Sequence, residues 1–221
     1  DVLIALAIDE KVCETIVKFY MSIMNIYADV KKNVEVEPVI GSFNYANYEY
    51  KTCQIGDKIW FAENFSCGNT SYLDPISSLF KGFYGKNIGK DTDNQKYGRL
   101  YTWKEACDCV PDGWRLPTIE DFQDMVAYIE SLRYDAGSAL KSKKQWHGES
   151  DQGLDLFGFC AYPTVLKNGE SQAWFWTASA TGENDYPHYC VCLSANNNEL
   201  NLTSKATDGY QACVRYVRDI E

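Results

Sequence analysis

The side chains that could do chemistry at short spacing lie in the last third of the chain. His188, Cys190 and Cys192 recur at every second position, and Cys213 follows in a later apolar run. Thiolates and imidazoles are metal ligands, and a thiolate beside an imidazole is a nucleophile. The spacing serves neither chemistry well. Tetrahedral zinc takes four ligands, and Cys-x-Cys on a single strand is not one of its usual patterns, so Cys213 would have to close the site. Only His147 and His188 are available as imidazole bases. A second candidate, Asp91-Thr92-Asp93-Asn94, resembles the start of a calcium loop. It lacks a Gly at the sixth position and a Glu at the twelfth, so it reads as a solvated acidic turn. The expectation is no metal, no cofactor and no catalytic residue.

The elements that carry these residues read as a three-stranded antiparallel meander over 184–219. Tyr189, Val191 and Leu193 alternate with His188, Cys190, Cys192 and Ser194. After the turn Ala195-Asn196-Asn197-Asn198, Leu200 and Leu202 alternate with Glu199, Asn201 and Thr203; Tyr210, Ala212, Val214 and Tyr216 alternate with Gln211, Cys213 and Arg215. Side chains alternate faces along a strand. One face is therefore expected to be buried, and the other to present His, Cys, Cys, Ser, Glu, Asn and Thr. A packing surface would be uniformly apolar and an ordinary solvent face rich in Lys and Glu, so this mixed face reads as a recognition surface. Trp174, Tyr186, Tyr189 and Tyr210 would be its aromatic anchors.

Upstream, residues 1 to about 33 read as a helix. Val12, Ile16, Phe19, Ile23, Ile26 and Val30 follow a 4-3-4-3 spacing, and Cys13, Ile16, Tyr20, Ile23, Tyr27 and Val30 give a second register. The apolar stripe is wider than a two-stranded seam needs. Two uses fit it: packing on its own domain, or an oligomerisation or docking helix. Residues 1–41 then form helix and linker, with Pro38 and Gly41 marking at most an edge strand, and 42–221 form the domain proper. Gly56-Asp57 reads as a hairpin turn that sends Trp60 and Phe61 to opposite faces. Residues 66–96 read as a long polar surface loop, and Asn168-Gly169 as a turn. Within 97–118, YGRLYTWKEACDCVPDGWRLPT, an aromatic core segment turns at Pro111-Asp112-Gly113 and leads into a helix. Thr118 is its N-cap, Glu120 and Asp121 suit its dipole, and Phe122, Met125, Val126, Ile129 and Leu132 share one face.

Composition bounds the rest. The 221 residues carry a net charge of -10, which argues against a nucleic-acid groove and an anionic membrane surface. The opening DVLIALAI is too short to span a membrane and has no basic flank, so no membrane insertion is expected. The nine Cys (13, 53, 67, 107, 109, 160, 190, 192 and 213) are an odd number, which excludes a fully paired monomer. Mostly reduced thiols are expected, favouring an intracellular protein or a particle assembled inside a cell. Asn64, Asn69 and Asn201 begin N-x-S/T sequons, relevant only to a secreted, glycosylated chain.

YGRLYTW and GWRLPT, with YKTCQIGDKIWFAENF before them and GFCAYP, FWTAS and VRYVRD after, resemble the Fibrobacter succinogenes major paralogous domain. Asp155, Gly158, Phe159 and Pro163 fit that family's spacing, and the likeness runs from about Tyr50 to Asp219. It implies an α+β chain of C-type lectin-like fold with short antiparallel strands, long loops and, here, an N-terminal helix. The lectin calcium motifs Glu-Pro-Asn and Trp-Asn-Asp are missing, so sugar chemistry is not inherited. The active site of the similar formylglycine-generating enzymes does not map onto the chain. The resemblance also implies a disulfide between a Cys before GWRLP and one in the last strand. Cys109 stands at the first position, Tyr216 replaces the second, and Cys213 lies nearby.

Some members of the family, and of the C-type lectin fold, are variable proteins of diversity-generating retroelements, which mutate template adenines and so convert Asn codons to Asp, Tyr, His, Ser, Gly and Cys. The resemblance therefore implies a non-catalytic ligand-binding protein, displayed on a cell surface or virion, that meets a protein or cell-surface ligand. Its variable positions would be Asn184, Asp185, Tyr186, His188, Tyr189, Cys190, Cys192, Ser194, Asn196, Asn197, Asn198, Asn201 and Thr203. An undiversified adhesin-like module and a Cys-dependent enzyme or metalloprotein are the alternatives.

Overall fold

The computed structural model describes residues 10–31, 34–66, 98–147, 153–167, 170–180, 188–206 and 210–220. It comprises two units, 1–34 and 35–221. In the first, α1 (Glu10–Lys31) is a helix of 22 residues. Glu14 and Lys18 pair one turn apart at 3.7 Å. Ile16, Val17, Phe19, Tyr20, Met21, Ile23 and Met24 are exposed, Phe19 by 68%.

The second unit runs β1 (Ile40–Tyr45), β2 (Tyr48–Ile55), β3 (Lys58–Phe61), α2 (Trp103–Asp108), α3 (Ile119–Ser131), α4 (Ala136–Leu140), β4 (Val165–Lys167), β5 (Glu170–Ala180), β6 (His188–Ser194), β7 (Leu200–Ala206) and β8 (Val217–Asp219). It is a mixed α+β architecture with two four-stranded sheets, ordered β1-β2-β3-β8 and β4-β5-β6-β7. Every strand pair is antiparallel. This is compatible with the C-type lectin-like fold expected from the sequence.

Local chemistry explains the first sheet. The β1–β2 loop is two residues long, and Ala46 and Asn47 both take positive φ (50° and 63°), which aligns the hairpin with the strand twist. Gly56 at φ 63° makes the β2–β3 turn where the sequence predicts it. Alternation then sends Trp60 into one apolar cluster with Phe122, Met125, Ile129, Phe159 and Phe175. Phe61 goes into another with Tyr50, Phe65, Tyr101, Trp114 and Tyr216.

The helices are set by capping boxes. Thr102 caps α2 with Glu105, and Thr118 caps α3 with Asp121. Asp121 does more than cap. It is buried, accepts from the Thr118 amide at 2.7 Å and takes both arms of the Arg115 guanidinium. Arg115 also reaches Asp219 at 3.4 Å. Lys58 lies 3.1 Å from Asp124 and 4.0 Å from Asp121. The Arg of GWRLPT and the Asp of VRYVRD are thus members of one charge network joining β3, α3 and β8.

Two side chains lock the C-terminal run. Arg215 is fully buried, and its guanidinium donates to the carbonyls of Phe61 (3.0 Å), Phe159 (2.7 Å) and Cys160 (3.1 Å) and to Asn64 Oδ1 (2.7 Å). It also lies over the Phe159 ring at 4.7 Å. Asn64 is itself buried and so is no surface glycosylation site. Tyr216, in the place of the expected disulfide partner, donates from its hydroxyl to the Ala106 carbonyl at 2.7 Å and packs edge-on against Phe61 and Phe65. The hydrogen bond ties α2 to the residue that leads into β8, and the ring contacts tie that residue to β3 and Phe65. Cys53, Cys107, Cys109, Cys160, Cys190, Cys192 and Cys213 are free thiols.

One expectation about the architecture is corrected. Residues 210–216 do not add a third strand to the β6–β7 hairpin. Ala212 bridges Tyr101 and Cys213 bridges Phe175 in parallel, after which the chain crosses to the other sheet as β8. The alternation in this run is real, but it reflects a segment buried on both sides, since every residue from Ala212 to Val217 is buried. The loop expected over 66–96, the Asp91–Asn94 turn and the Asn168-Gly169 turn lie outside the described residues, apart from Ser66.

Candidate functional site

The sheet β5-β6-β7 carries the predicted face. Antiparallel register puts Gln172 beside Ser194, Trp174 beside Cys192, Trp176 beside Cys190, and Ala180 beside His188. Asn201 stands across from Cys192.

Most of that face is covered, which corrects the expectation that it is presented to solvent. His188 is only 1% exposed and Cys190 is fully buried. Cys192 is 8% exposed. The cover is aromatic. Trp103 stacks flat on the His188 ring at 3.6 Å, and Trp176 meets the same ring edge-on at 6.4 Å. Trp103 is pinned by its Nε1, which donates to the Thr177 carbonyl at 2.9 Å, and Trp176 by donation to the Tyr101 carbonyl at 2.6 Å. Tyr210 packs edge-on against Trp174 at 5.7 Å and Trp176 at 6.1 Å. The sequence reasoning missed this roof. The available signal was the burial preference of cysteine, which behaves as a small apolar group in a core, together with the aromatic stretch before GWRLPT.

Burial also decides what these thiols can do. It drives the Cys190 thiol far above its ordinary range, helped by Cys192 and Cys213. Cys213 is pushed up to about 11 by burial, against the opposing Thr164 hydroxyl and Arg215 charge. Cys53 is pushed up to about 12, again chiefly by burial. Neutral thiols are poor nucleophiles and poor ligands. Cys213 instead accepts from Asn64 Nδ2 at 3.3 Å. Among the described residues no three His, Cys, Asp or Glu side chains gather where they could hold a metal ion.

The open part of the site lies at the end of this sheet and along the β6–β7 turn. Asn196, Asn197 and Asn201 are exposed; Ser194, Asn198, Gln172, Trp174 and Tyr210 are half-buried, as is Tyr189, which stands at the other end of β6 and alternates with the Cys190 face. The turn is held from beneath. Gly137 N in α4 donates to the Asn198 carbonyl at 2.8 Å, and the buried Lys141 donates from Nζ to the Asn197 carbonyl at 2.6 Å. The turn also braces itself: Asn197 Oδ1 accepts from the Glu199 amide at 3.1 Å, and Ser194 Oγ accepts from the Asn196 amide at 3.0 Å while contacting Glu170. Trp174 Nε1 donates to Gln172 Oε1 at 3.0 Å. Thr203 belongs to β7, and its side chain lies outside what is described. Asn184, Asp185 and Tyr186 also fall outside the described residues. The structure thus brings Ser194, Asn196, Asn197, Asn198 and Asn201 together on one rim and removes His188, Cys190 and Cys192 from it.

In this chain GWRLPT builds a buried aromatic core and VRYVRD supplies a caged arginine, within two short-stranded sheets. The Fibrobacter succinogenes major domain matches residues 53–218, and the chain belongs to that family. Searches of curated proteins and of solved structures find no match. No helix among the described residues is long and apolar enough to cross a membrane.

Proposed function

We propose that the chain is a non-catalytic ligand-binding protein whose contact surface is the rim Ser194, Asn196, Asn197, Asn198 and Asn201, flanked by Trp174 and Tyr210. The observation that carries this is the contrast within one turn: Asn196 and Asn197 expose their side chains while α4 holds the main-chain carbonyls beneath. Such a turn is ordered before a ligand arrives, which reduces the entropy cost of binding. Asn and Ser supply adaptable hydrogen bonds, and Trp and Tyr supply contact area at low entropic cost.

The same contrast supports diversification by a retroelement, restricted to the exposed positions. An Asn-rich turn on a fixed backbone accepts Asp, Tyr, His, Ser or Gly without disturbing the core. Sequencing the gene with its flanks tests this. A near-repeat of the 3′ end, differing where the template has adenine and covering the Asn196, Asn197, Asn198 and Asn201 codons, is the expected result. The burial of His188, Cys190 and Cys192 favours a second reading, an undiversified binding module, and clean flanks would select it.

A further inference from the structure

We infer that α1 is a parallel three-stranded coiled coil with two other copies of this chain. The 4-3-4-3 spacing places Ile16, Ile23 and Val30 at one set of seam positions and Val12, Phe19 and Ile26 at the other. The seam residues described, Ile16, Phe19 and Ile23, are 58%, 68% and 46% exposed, and Tyr20 beside them is 61% exposed.

A helix of this composition needs a partner. Its Ile, Val, Thr, Phe and Tyr residues lose side-chain freedom in a helix, and isolated helices gain most of their stability from packing. The spacing selects the partner. A strict seven-residue repeat keeps one seam facing identical neighbours along its length, whereas a helix laid on a globular core has no need of it. From Val12 to Val30 no charge falls on the seam itself or at Cys13, Tyr20 and Tyr27 on one flank; Thr15, Ser22 and Asp29 line the other flank. The Glu14–Lys18 pair lies on the outer surface. Like charges of neighbouring copies therefore adjoin the seam at Asp29 alone within this stretch.

Stoichiometry follows from side-chain shape and arc. Five of the six seam residues, Val12, Ile16, Ile23, Ile26 and Val30, are β-branched and the sixth is Phe19; β-branched residues at both seam positions, rather than Leu at one, favour three strands over two. The apolar arc continues on one side through Tyr20 to Val17 and Met24, making the stripe wider than a two-stranded seam needs. Three identical copies in closed symmetry must run parallel. The consequence is three copies of the rim in one assembly, with avidity set by the spacing of sites on the ligand surface.

The test is the mass of the full chain in solution at tens of micromolar, by light scattering after gel filtration. The expected mass is three times the 25.2 kDa of one chain. The double substitution Ile16→Asp/Ile23→Asp is expected to give monomer, and Glu14→Ala/Lys18→Ala to remain trimeric. All six Trp lie beyond residue 34, so tryptophan fluorescence reports whether residues 35–221 still fold in each variant. A monomeric or dimeric parent, or a trimer that survives the Asp pair with folded domains, would overturn the proposal.

Discussion

Asp121 concentrates several stabilising contacts in one carboxylate, and its titration should be visible. Burial alone would raise its pKa. The hydrogen bonds from Arg115 and the Thr118 amide, with the charges of Arg115 and Lys58, outweigh burial and hold it below the ordinary carboxylate value. A carboxylate depressed in the folded state binds fewer protons there than in the unfolded chain, so its stabilisation is complete above the ordinary value, about pH 4, and is lost as pH falls through the lowered one. Asp121→Asn should lower stability at neutral pH and flatten the acid limb of a plot of urea midpoint against pH. An unchanged acid limb would refute that assignment. Arg215 faces a different test. Replacing it with Leu strands the Phe61, Phe159 and Cys160 carbonyls and Asn64 Oδ1 in the interior. At roughly 1–3 kcal/mol for each unsatisfied group, with partial relaxation, the loss should reach at least about 3 kcal/mol in chemical denaturation. The thiols give a third check. Cys53, Cys190 and Cys213 should resist alkylation in the native protein and react on unfolding, read by mass spectrometry of the labelled peptides.

At the level of elements, α4 and the β6–β7 turn form one supporting unit. A Cβ on Gly137 would stand 2.6 Å from the Asn198 carbonyl carbon and 2.7 Å from its oxygen, both main-chain atoms that cannot swing aside. Gly137→Ala should therefore push the turn off α4, costing about 1–3 kcal/mol and weakening any ligand contact made through Asn196 and Asn197. Tyr216→Phe should cost only about 1 kcal/mol, since the ring contacts stay and one hydrogen bond is lost. The β2–β3 hairpin and α3 were legible in the sequence because local signals fixed them: Gly56-Asp57 at the turn, Thr118 at the cap with Asp121 in the first turn, and a 3.6-residue apolar period through Ile129. The run from Tyr210 to Tyr216 was not. Its period of two is that of a strand, but its partners, Tyr101, Phe175 and β3, are distant in sequence and leave no local mark.

For the molecule as a whole, the same limit governs the candidate site. The sequence identifies the β6–β7 hairpin and its Asn-rich turn, and alternation correctly separates Val191 and Leu193 from Cys190 and Cys192. Alternation sorts residues onto two faces without saying whether both are covered. Here Trp103 and Tyr210, brought from other segments, pack with Trp176 of the neighbouring strand over the second face and leave only its outer rim open. Change should therefore be tolerated on the rim and not beneath the roof. The most direct measurement is the nucleotide sequence of the gene's 3′ end and flanks, with deep sequencing of the 188–203 codons across a population carrying it. An adenine-rich template repeat is expected, with substitutions concentrated at Ser194, Asn196, Asn197, Asn198 and Asn201 and with His188, Cys190 and Cys192 held constant. Variation spread equally over the buried three, or no repeat and no variation at the rim, would contradict that expectation.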